Sequence, residues 1–265
     1  MEIWQAAVLG VVQGLTEFLP ISSSGHLVLA QQMLGLTEPE MMFDVAVHVG
    51  TLAAVFVVFW GDLFSILRGL FVYGDDQARR GRLLLWLVIV GSLPTALIGW
   101  YFKDFFEQMF SSVLTVGLAL ILTGWLLMAT AMVSRRGREI EQMGAGRAFL
   151  VGVVQGCAIT PGISRSGSTI STALLLGIDR RLAAHYSFVL SIPAILGALA
   201  LQVHKLGPPS GAQLTPLLVG ALAAAVSGFV ALKLLLKIVQ AGRLHWFAPY
   251  CFAVGAAALA WNFLR

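Results

Sequence analysis

The chain has 265 residues, of which 58% are hydrophobic and 11% are charged, and its mean hydropathy is +0.86. Soluble domains carry about 25% charged residues, so this composition excludes a soluble globular protein and indicates an all-α polytopic membrane protein. The formal net charge is +4, but basic residues in a membrane protein mostly set its orientation, and we therefore expect no nucleic-acid partner.

The first residues, MEIWQAA, lack the basic residues and the small-residue cleavage site of a secretory signal, so we expect the first helix to remain in the protein. The two cysteines, Cys157 and Cys251, lie in apolar stretches without CxxC or Cys/His spacing. They therefore indicate neither a disulfide framework nor a zinc site.

Apolar segments follow one another along almost the whole chain. Six are long enough for the roughly 20 residues that a transmembrane helix needs, and they cover residues 43–61, 84–102, 112–133, 183–203, 214–236 and 246–264. Two more, residues 2–35 and 148–178, are interrupted by LPISSSG and TPGISRSG. The limb after each break is too short to span the bilayer, so each of these two regions is predicted to be a re-entrant helical hairpin.

The two interrupted regions resemble each other. A shift of 142 residues, without a gap, aligns GVVQG at 10–14 with GVVQG at 152–156 and Ile-Ser-x-Ser-Gly at 21–25 with the same pattern at 163–167. Chance apolar composition rarely also aligns Gln, Ser and Gly, so we interpret the match as an internal repeat. The paired glycines of GVVQG predict close helix packing.

We predict a single membrane domain built from two repeats, residues 1–142 and 143–265, each a hairpin followed by three spans. Because three is odd, the second repeat must enter the membrane from the opposite side. This is an inverted-topology repeat, in which the two hairpins meet inside the protein.

The basic residues predict the orientation. Thirteen lysines and arginines lie on the side that holds the loops around 62–83, 134–147, 179–182 and 237–245, whereas Lys103, Lys205 and Arg265 lie on the other side. The positive-inside rule places the first side in the cytoplasm and both termini outside. Arg165 belongs to neither group, because it lies in the break of the second hairpin.

Glu17 and Arg165 are charged residues at membrane depth, where a charge costs about 2.5–3.5 kcal/mol and normally faces a partner or a wet cavity. One interpretation is a buried ion pair that only joins the hairpins. The alternative is a phosphate site, since each break places a Ser-rich turn before a helix N-terminus, which favours anions. His26 follows Ser23 by three residues, so both lie on one helix face, and Glu17 could orient them for general acid/base or nucleophilic chemistry.

Two further polar residues are candidates for the same site. Gln13 lies one turn before Glu17 and is a candidate for orienting that carboxylate or a cation. His48 lies early in a span and is a candidate for lining the cavity, with a buried, hydrogen-bonded structural histidine as the alternative.

With these motifs, the chain resembles the undecaprenyl-diphosphate phosphatases, a bacterial integral-membrane family also linked to bacitracin resistance. The family's (E/Q)xxxE motif and its Pro-x-Ser-Ser-x-Gly-His run correspond to residues 13–17 and 20–26, and its PGxSRSxxT motif corresponds to residues 161–169. The resemblance implies a catalytic group of Glu17, Ser23, His26 and Arg165. It also implies phosphate-binding residues, which are Ser22, Ser24, Ser164, Ser166 and Thr169.

The implied reaction is hydrolysis of undecaprenyl diphosphate to undecaprenyl phosphate and inorganic phosphate in the bacterial cytoplasmic membrane, with the site facing the periplasm. Ser23 is the expected nucleophile and His26 the alternative. A divalent cation, Mg²⁺ or Ca²⁺, is expected, with Glu17 as a candidate ligand; Gln13 stands where some members of the family have a second glutamate. We also expect membrane lipids as partners, and a homodimer is a candidate assembly.

Two other functions fit part of the pattern. A transporter or flippase for an anionic polyprenyl lipid would also use inverted repeats with broken helices, but it would not need Ser23 and His26 beside Glu17. The acid-phosphatase-like lipid phosphatases use Ser-Gly-His and Ser-Arg-x5-His; here the position of the second histidine is Ser171, so their nucleophile is missing.

Overall fold

A computed structural model describes residues 1–36, 40–109, 112–133, 137–203 and 211–264. Within these ranges the chain forms twelve α-helices and two short 3₁₀ turns, at Thr130–Met132 and Leu244–Phe247. The helices are α1 (Ile3–Phe18), α2 (Ser23–Met33), α3 (Met41–Val58), α4 (Trp60–Phe71), α5 (Asp76–Tyr101), α6 (Lys103–Met109), α7 (Val113–Ala129), α8 (Ile140–Cys157), α9 (Arg165–Leu175), α10 (Arg180–Val203), α11 (Gly211–Gln240) and α12 (Ala248–Leu264).

The six predicted spans are confirmed in number and place, and the protein is a multi-pass membrane protein. The helical segments with the length and hydropathy to cross a membrane are Met41–Val58, Asp76–Tyr101, Val113–Met132, Arg180–Gln202, Gln213–Gln240 and Leu244–Phe263. Of the basic residues counted for orientation, Arg135, Arg136, Lys205 and Arg265 lie outside the described ranges.

The prediction of a loop around residues 62–83 is wrong, because this segment contains most of α4 and the first turns of α5. Asp75 caps α5 by accepting a hydrogen bond from the backbone N–H of Ala78 at 3.3 Å, which begins that helix before its apolar part. The large apolar side chains of α4, such as Phe64 and Leu67, are exposed on the protein surface. Amphipathic helices of this kind lie along the membrane interface. The charged residues of the segment favoured the prediction of a loop over that of a helix.

Each interrupted region forms two helices, α1 with α2 and α8 with α9, separated at the predicted breaks. The second helix of each pair has only 11 residues, as the short limbs indicated. That each pair enters and leaves the membrane on one side stays a prediction.

The first helix of each pair packs against a span of the other half. Helix α1 packs on α11, and α8 packs on α5. A Cβ atom added to Gly10 would lie 2.3 Å from the carbonyl oxygen of Gly220, and one added to Gly152 would lie 2.0 Å from that of Gly91. The prediction that the GVVQG glycines serve close helix packing is therefore confirmed.

Candidate active site

Glu17 is the centre of a buried polar cluster near the C-terminal end of α1. Its Oε1 accepts a hydrogen bond from Nη2 of Arg165 at 2.7 Å. Its Oε2 accepts hydrogen bonds from the hydroxyl of Ser23 at 2.7 Å and from Nε2 of Gln13 at 3.1 Å. The structure thus brings together Glu17, Ser23 and Arg165, and it places the side chain of Gln13 against the same carboxylate.

The packing of neighbouring aromatic residues fixes Glu17. The next residue, Phe18, is fully buried, and its ring meets that of Phe188 on α10 edge-on at 5.8 Å. Phe188 stacks in turn on Phe59, at 5.6 Å between ring centroids. A close-packed core tolerates little displacement, so the backbone that carries Glu17 is held against α10.

The turn between α1 and α2 aims Ser23 at Glu17. Ser22 has φ +69° and ψ 100°, and a non-glycine residue in such a conformation costs on the order of 1–3 kcal/mol. Strain of this kind is kept where the surrounding structure fixes the backbone, often at functional sites. Ser23 follows as the first residue of α2, and because side chains point toward the helix N-terminus, its hydroxyl turns back toward α1.

The second hairpin supplies Arg165 at the first position of α9. Ser164 caps this helix, since its hydroxyl accepts from the backbone N–H of Gly167 at 3.1 Å. The Nη2 atom of Arg165 binds Glu17, whereas Nη1 is buried and has no hydrogen-bond partner within the described residues. An unpartnered buried guanidinium nitrogen is costly, so this nitrogen is placed to donate to an anion.

The predicted phosphate-binding residues divide into two groups. Ser22, Ser24 and Ser164 line the same cavity as Ser23 and Arg165. Ser166 and Thr169 are buried: the hydroxyl of Thr169 donates to the carbonyl oxygen of Arg165 at 2.7 Å and pairs with Ser187, and that of Ser166 lies 3.2 Å from the hydroxyl of Ser164. These two residues therefore hold the first turn of α9 in place.

His48, on α3, lies beside the cluster. Its Nε2 is 3.9 Å from Oε2 of Glu17, and its Nδ1 donates to the carbonyl oxygen of Asp44 at 2.7 Å. It also lines the cavity. The structure thus supports the prediction of a cavity-lining histidine over that of a buried structural one.

His26, on α2, is not among the residues that line the cavity. Its Nδ1 lies 2.8 Å from the carbonyl oxygen of Ser22, and its Nε2 is hydrogen-bonded to the hydroxyl of Tyr250, on whose ring it stacks at 5.7 Å. The lining of the cavity includes Ser22 to Ser24 but not His26. The predicted grouping of His26 with Ser23 and Glu17 is therefore not observed.

The cavity has a volume of about 1070 Å³ and two chemically distinct parts. The polar end holds Glu17, Ser23, His48 and Arg165. The lining between α5 and α10 is mostly apolar, and it ends at the polar residues Lys103, Asp104 and Gln202. The apolar lining comes from residues such as Ala96, Gly99, Trp100, Ile195, Gly197, Ala198, Leu199 and Leu201. This arrangement suits a ligand with an anionic head and a long apolar tail.

The inference from sequence missed several polar residues near this cavity. Thr123 accepts from the backbone N–H of Ser164 at 3.2 Å, and Thr95 accepts from Nε2 of Gln155 at 3.2 Å. Gln155 is the repeat counterpart of Gln13, but the two side chains have different partners, since Nε2 of Gln13 donates to Glu17 and Nε2 of Gln155 donates to Thr95. Isolated threonines within apolar spans carry no local pattern that identifies them.

The profile of a protein family, the bacitracin resistance protein BacA, matches residues 6–257. The chain belongs to this family. Relatives that this chain matches over almost their whole length carry the name undecaprenyl-diphosphatase. One from Desulfatibacillum aliphaticivorans is 46% identical over 98% of this chain and 99% of its own. Another, from Carboxydothermus hydrogenoformans, is 45% identical over 98% of this chain and 97% of its own.

The motifs that carry the family resemblance are those that converge in the BacA-family site. The (E/Q)xxxE motif supplies Gln13 and Glu17 from α1, and the Ser-rich run supplies Ser23 at the start of α2. The PGxSRSxxT motif supplies Ser164 and Arg165 from the turn before α9. Three short sequences from two halves of the chain thus form one site.

Proposed function

We propose that the protein hydrolyses undecaprenyl diphosphate to undecaprenyl phosphate and inorganic phosphate, and so recycles the lipid carrier for peptidoglycan synthesis. The observation that carries the proposal is the meeting of the Ser23 hydroxyl and the Arg165 guanidinium on one carboxylate, at the polar end of a mostly apolar cavity. The names of the relatives, all undecaprenyl-diphosphatases, support the same substrate.

In the proposed reaction, Ser23 is the nucleophile. Its O–H already donates to Oε2 of Glu17 at 2.7 Å, so Glu17 is positioned to take the proton as the serine oxygen attacks the terminal phosphorus. The bond from that phosphorus to the bridging oxygen breaks, and undecaprenyl phosphate leaves. The proton on Glu17 passes to the leaving undecaprenyl phosphate, which frees the carboxylate. Glu17 then deprotonates a water molecule that attacks the phosphorus of the phosphoserine. The bond from phosphorus to the Ser23 oxygen breaks, the serine oxygen takes up that proton from Glu17, and inorganic phosphate is released.

Arg165 is proposed to bind the transferring phosphoryl group. Phosphoryl transfer depends mainly on positioning and on stabilising charge at the equatorial oxygens. The Nη1 atom, which is buried and has no hydrogen-bond partner among the described residues, is the donor for that purpose, while the bond from Nη2 to Glu17 holds the guanidinium plane. The backbone N–H groups at the start of α9 add a favourable field for the anion.

A divalent cation, Mg²⁺ or Ca²⁺, is part of the proposal as a species bound together with the diphosphate. Among the described residues, no group of three or more His, Cys, Asp or Glu side chains could hold a metal ion. The cluster does offer the Glu17 carboxylate and Oε1 of Gln13, a buried atom for which the described part of the chain provides no hydrogen-bond partner. Because Mg²⁺ is often held by one or two carboxylates plus substrate phosphates, this set fits a cation that neutralises phosphate charge, with the substrate completing its coordination.

The cavity also suggests the side of the bilayer from which the substrate enters. Its lining continues to Lys103, after the C-terminal end of α5, and to Gln202, near the C-terminal end of α10. The arginine-rich N-terminal ends of these two helices are predicted to be cytoplasmic. We therefore place the opening and both chain termini in the periplasm, with the protein in the bacterial cytoplasmic membrane.

The function is tested by phosphate release from undecaprenyl diphosphate by the purified protein in detergent, with Mg²⁺ present. Detergent micelles have no compartments, so hydrolysis there would exclude transport as the sole activity. We expect Ser23→Ala to lower kcat by at least about 1,000-fold and the matched Ser24→Ala to lower it by less than about ten-fold.

Two outcomes would overturn this account. If the wild-type protein releases no phosphate from lipid that a known phosphatase cleaves, the hydrolytic function is wrong. If Ser23→Ala retains near-normal release while His26→Ala abolishes it, the assignment of Ser23 as nucleophile is wrong.

A further inference from the structure

Both nitrogens of the His26 imidazole are engaged in hydrogen bonds within the protein, and His26 is not among the residues that line the cavity. Nδ1 faces the carbonyl oxygen of Ser22 at 2.8 Å, and since a carbonyl oxygen can only accept, Nδ1 carries the proton. Nε2 in the neutral ring is then an acceptor, and the Tyr250 hydroxyl donates to it. A general acid or base needs a nitrogen that reaches the substrate, and this ring presents none to the cavity.

The carbonyl oxygen that His26 binds belongs to Ser22, the residue of the site with a strained backbone conformation. Ser22 has φ +69°, and it immediately precedes Ser23. Its repeat counterpart, Ser164, has an ordinary φ of −76°, and the Ser164 carbonyl oxygen accepts from the backbone N–H of Ser168 at 2.8 Å. In the first hairpin, the imidazole of His26 binds the Ser22 carbonyl instead.

Tyr250 connects this arrangement to the far end of the chain. It lies in α12, 224 residues after His26, and the two rings are nearly parallel, with an interplanar angle of 22°. Stacking fixes the plane of the imidazole, and the hydroxyl fixes the tautomer, as a hydrogen bond on one ring nitrogen decides the role of the other. The neighbouring Cys251 thiol also contacts the Pro20 carbonyl oxygen at 3.4 Å, so the start of α12 supports the whole turn.

We propose that His26 is a positioning residue and that Tyr250 is its partner. The Tyr250 hydroxyl donates to Nε2 of His26, so the proton of the imidazole stays on Nδ1 and is donated to the Ser22 carbonyl oxygen. This hydrogen bond maintains the strained turn. The turn in turn keeps the Ser23 hydroxyl at 2.7 Å from Oε2 of Glu17. His26 does not exchange protons with the substrate. The inference rests on the proposed function, since it concerns the alignment of the Ser23 nucleophile.

Two amide substitutions distinguish this role from acid–base catalysis. The side-chain nitrogen of His26→Asn corresponds to Nδ1 and can bind the Ser22 carbonyl, a back-bond that short polar side chains make within helices, whereas that of His26→Gln corresponds to Nε2. With undecaprenyl diphosphate, we expect Asn to retain kcat within about ten-fold of wild type and Gln to lower it by about 100-fold, as for a misplaced reacting group. KM stays within about two-fold in both.

The pH–rate profile is a second measurement, and it distinguishes a positioning role of His26 from acid–base catalysis. Because His26 does not exchange protons with the substrate in this proposal, His26→Asn is expected to keep both limbs of the wild-type profile. Tyr250→Phe removes only the hydroxyl and is expected to lower kcat roughly three- to ten-fold, whereas the matched Tyr73→Phe, at an exposed tyrosine away from the cavity, leaves kcat unchanged.

The proposal is overturned if Asn and Gln lower kcat equally, or if a limb of the profile disappears in His26→Asn. It is also overturned if Tyr250→Phe matches wild type. Thermal unfolding of each variant in detergent checks that it is folded, and the Asn-to-Gln comparison decides the question even if His26→Ala does not fold. A wild-type protein without hydrolytic activity would instead reject the proposed function.

Discussion

Nη2 of Arg165 lies 2.7 Å from Oε1 of Glu17, although the two residues are 148 positions apart in the chain. Both side chains are largely buried, and each belongs to a different half of the protein. A buried pair of this kind seldom gains much stability over apolar packing, because desolvation offsets the attraction. The pair is better explained by the two atoms that it leaves for chemistry. Oε2 of Glu17 accepts from the proposed nucleophile, and Nη1 of Arg165 has no hydrogen-bond partner in the described ranges.

Substitutions that keep shape but change chemistry test this division of roles. Glu17→Gln removes the base and is expected to lower kcat by roughly 100- to 10,000-fold. Arg165→Lys keeps the charge but loses the planar fork that serves Glu17 and phosphate together, and we expect a loss of about 100- to 1,000-fold.

The measurement is steady-state hydrolysis of the lipid diphosphate, with thermal unfolding as a check on folding. Arg181→Lys, at an exposed arginine beyond the cavity, is the matched control and should retain wild-type kcat. Near-normal turnover by Arg165→Lys would show that charge alone suffices and that the fork is unimportant.

The meeting of Glu17 and Arg165 could be inferred from sequence, because the repeat brings the two breaks together and each break carries one charge. The roles of the two histidines could not. Helical spacing places His26 on the face of Ser23, but Ser23 begins α2 and turns back to α1, while His26 turns to Tyr250, a residue that no local pattern connects to it. His48 reaches Glu17 only because α3 packs beside α1.

The cation is predicted to bind with the substrate, because Gln13 supplies a neutral oxygen where a carboxylate would complete a pair. Gln13→Glu places a second carboxylate one helical turn from Glu17, so it should bind Mg²⁺ without substrate, roughly ten-fold or more tightly than wild type. Isothermal titration calorimetry with MgCl₂ alone gives the comparison. Gln155→Glu, at the repeat counterpart whose Nε2 faces Thr95, is the control and should bind no better than wild type. Tight Mg²⁺ binding by the wild-type protein alone would contradict joint binding.

Close packing at the glycine crossings predicts a large difference between two glycines of α8. Gly152→Ala would place a Cβ atom 2.0 Å from the carbonyl oxygen of Gly91, forcing α8 away from α5, and should destabilise the fold by about 1–3 kcal/mol. Gly146→Ala meets no atom within 4 Å and should be neutral or stabilising by up to about 1 kcal/mol. Thermal unfolding in detergent measures both, and equal melting temperatures would show that the crossing can relax.

The apolar part of the cavity predicts a selective effect on long substrates. Gly197 lines the cavity on α10, and a Cβ atom added there meets no atom of the described residues within 4 Å. Gly197→Phe can therefore fill the space between α5 and α10 without disturbing the core. If the polyprenyl tail leaves by this route, the variant should lower kcat/KM for undecaprenyl diphosphate by at least about ten-fold, the equivalent of 1.4 kcal/mol of lost binding. Hydrolysis of farnesyl diphosphate, whose tail is much shorter, should change far less.

The matched substitution is Gly61→Phe, in α4, where an added Cβ atom is equally free of neighbours but lies outside the cavity lining. It should leave kcat/KM for both substrates at the wild-type value, because the cavity is unchanged. Equal losses for the long and the short substrate in Gly197→Phe would place the obstruction at the phosphate end instead. If Gly197→Phe hydrolyses both substrates at the wild-type rate, the polyprenyl tail does not run between α5 and α10 and must lie on another face of the protein.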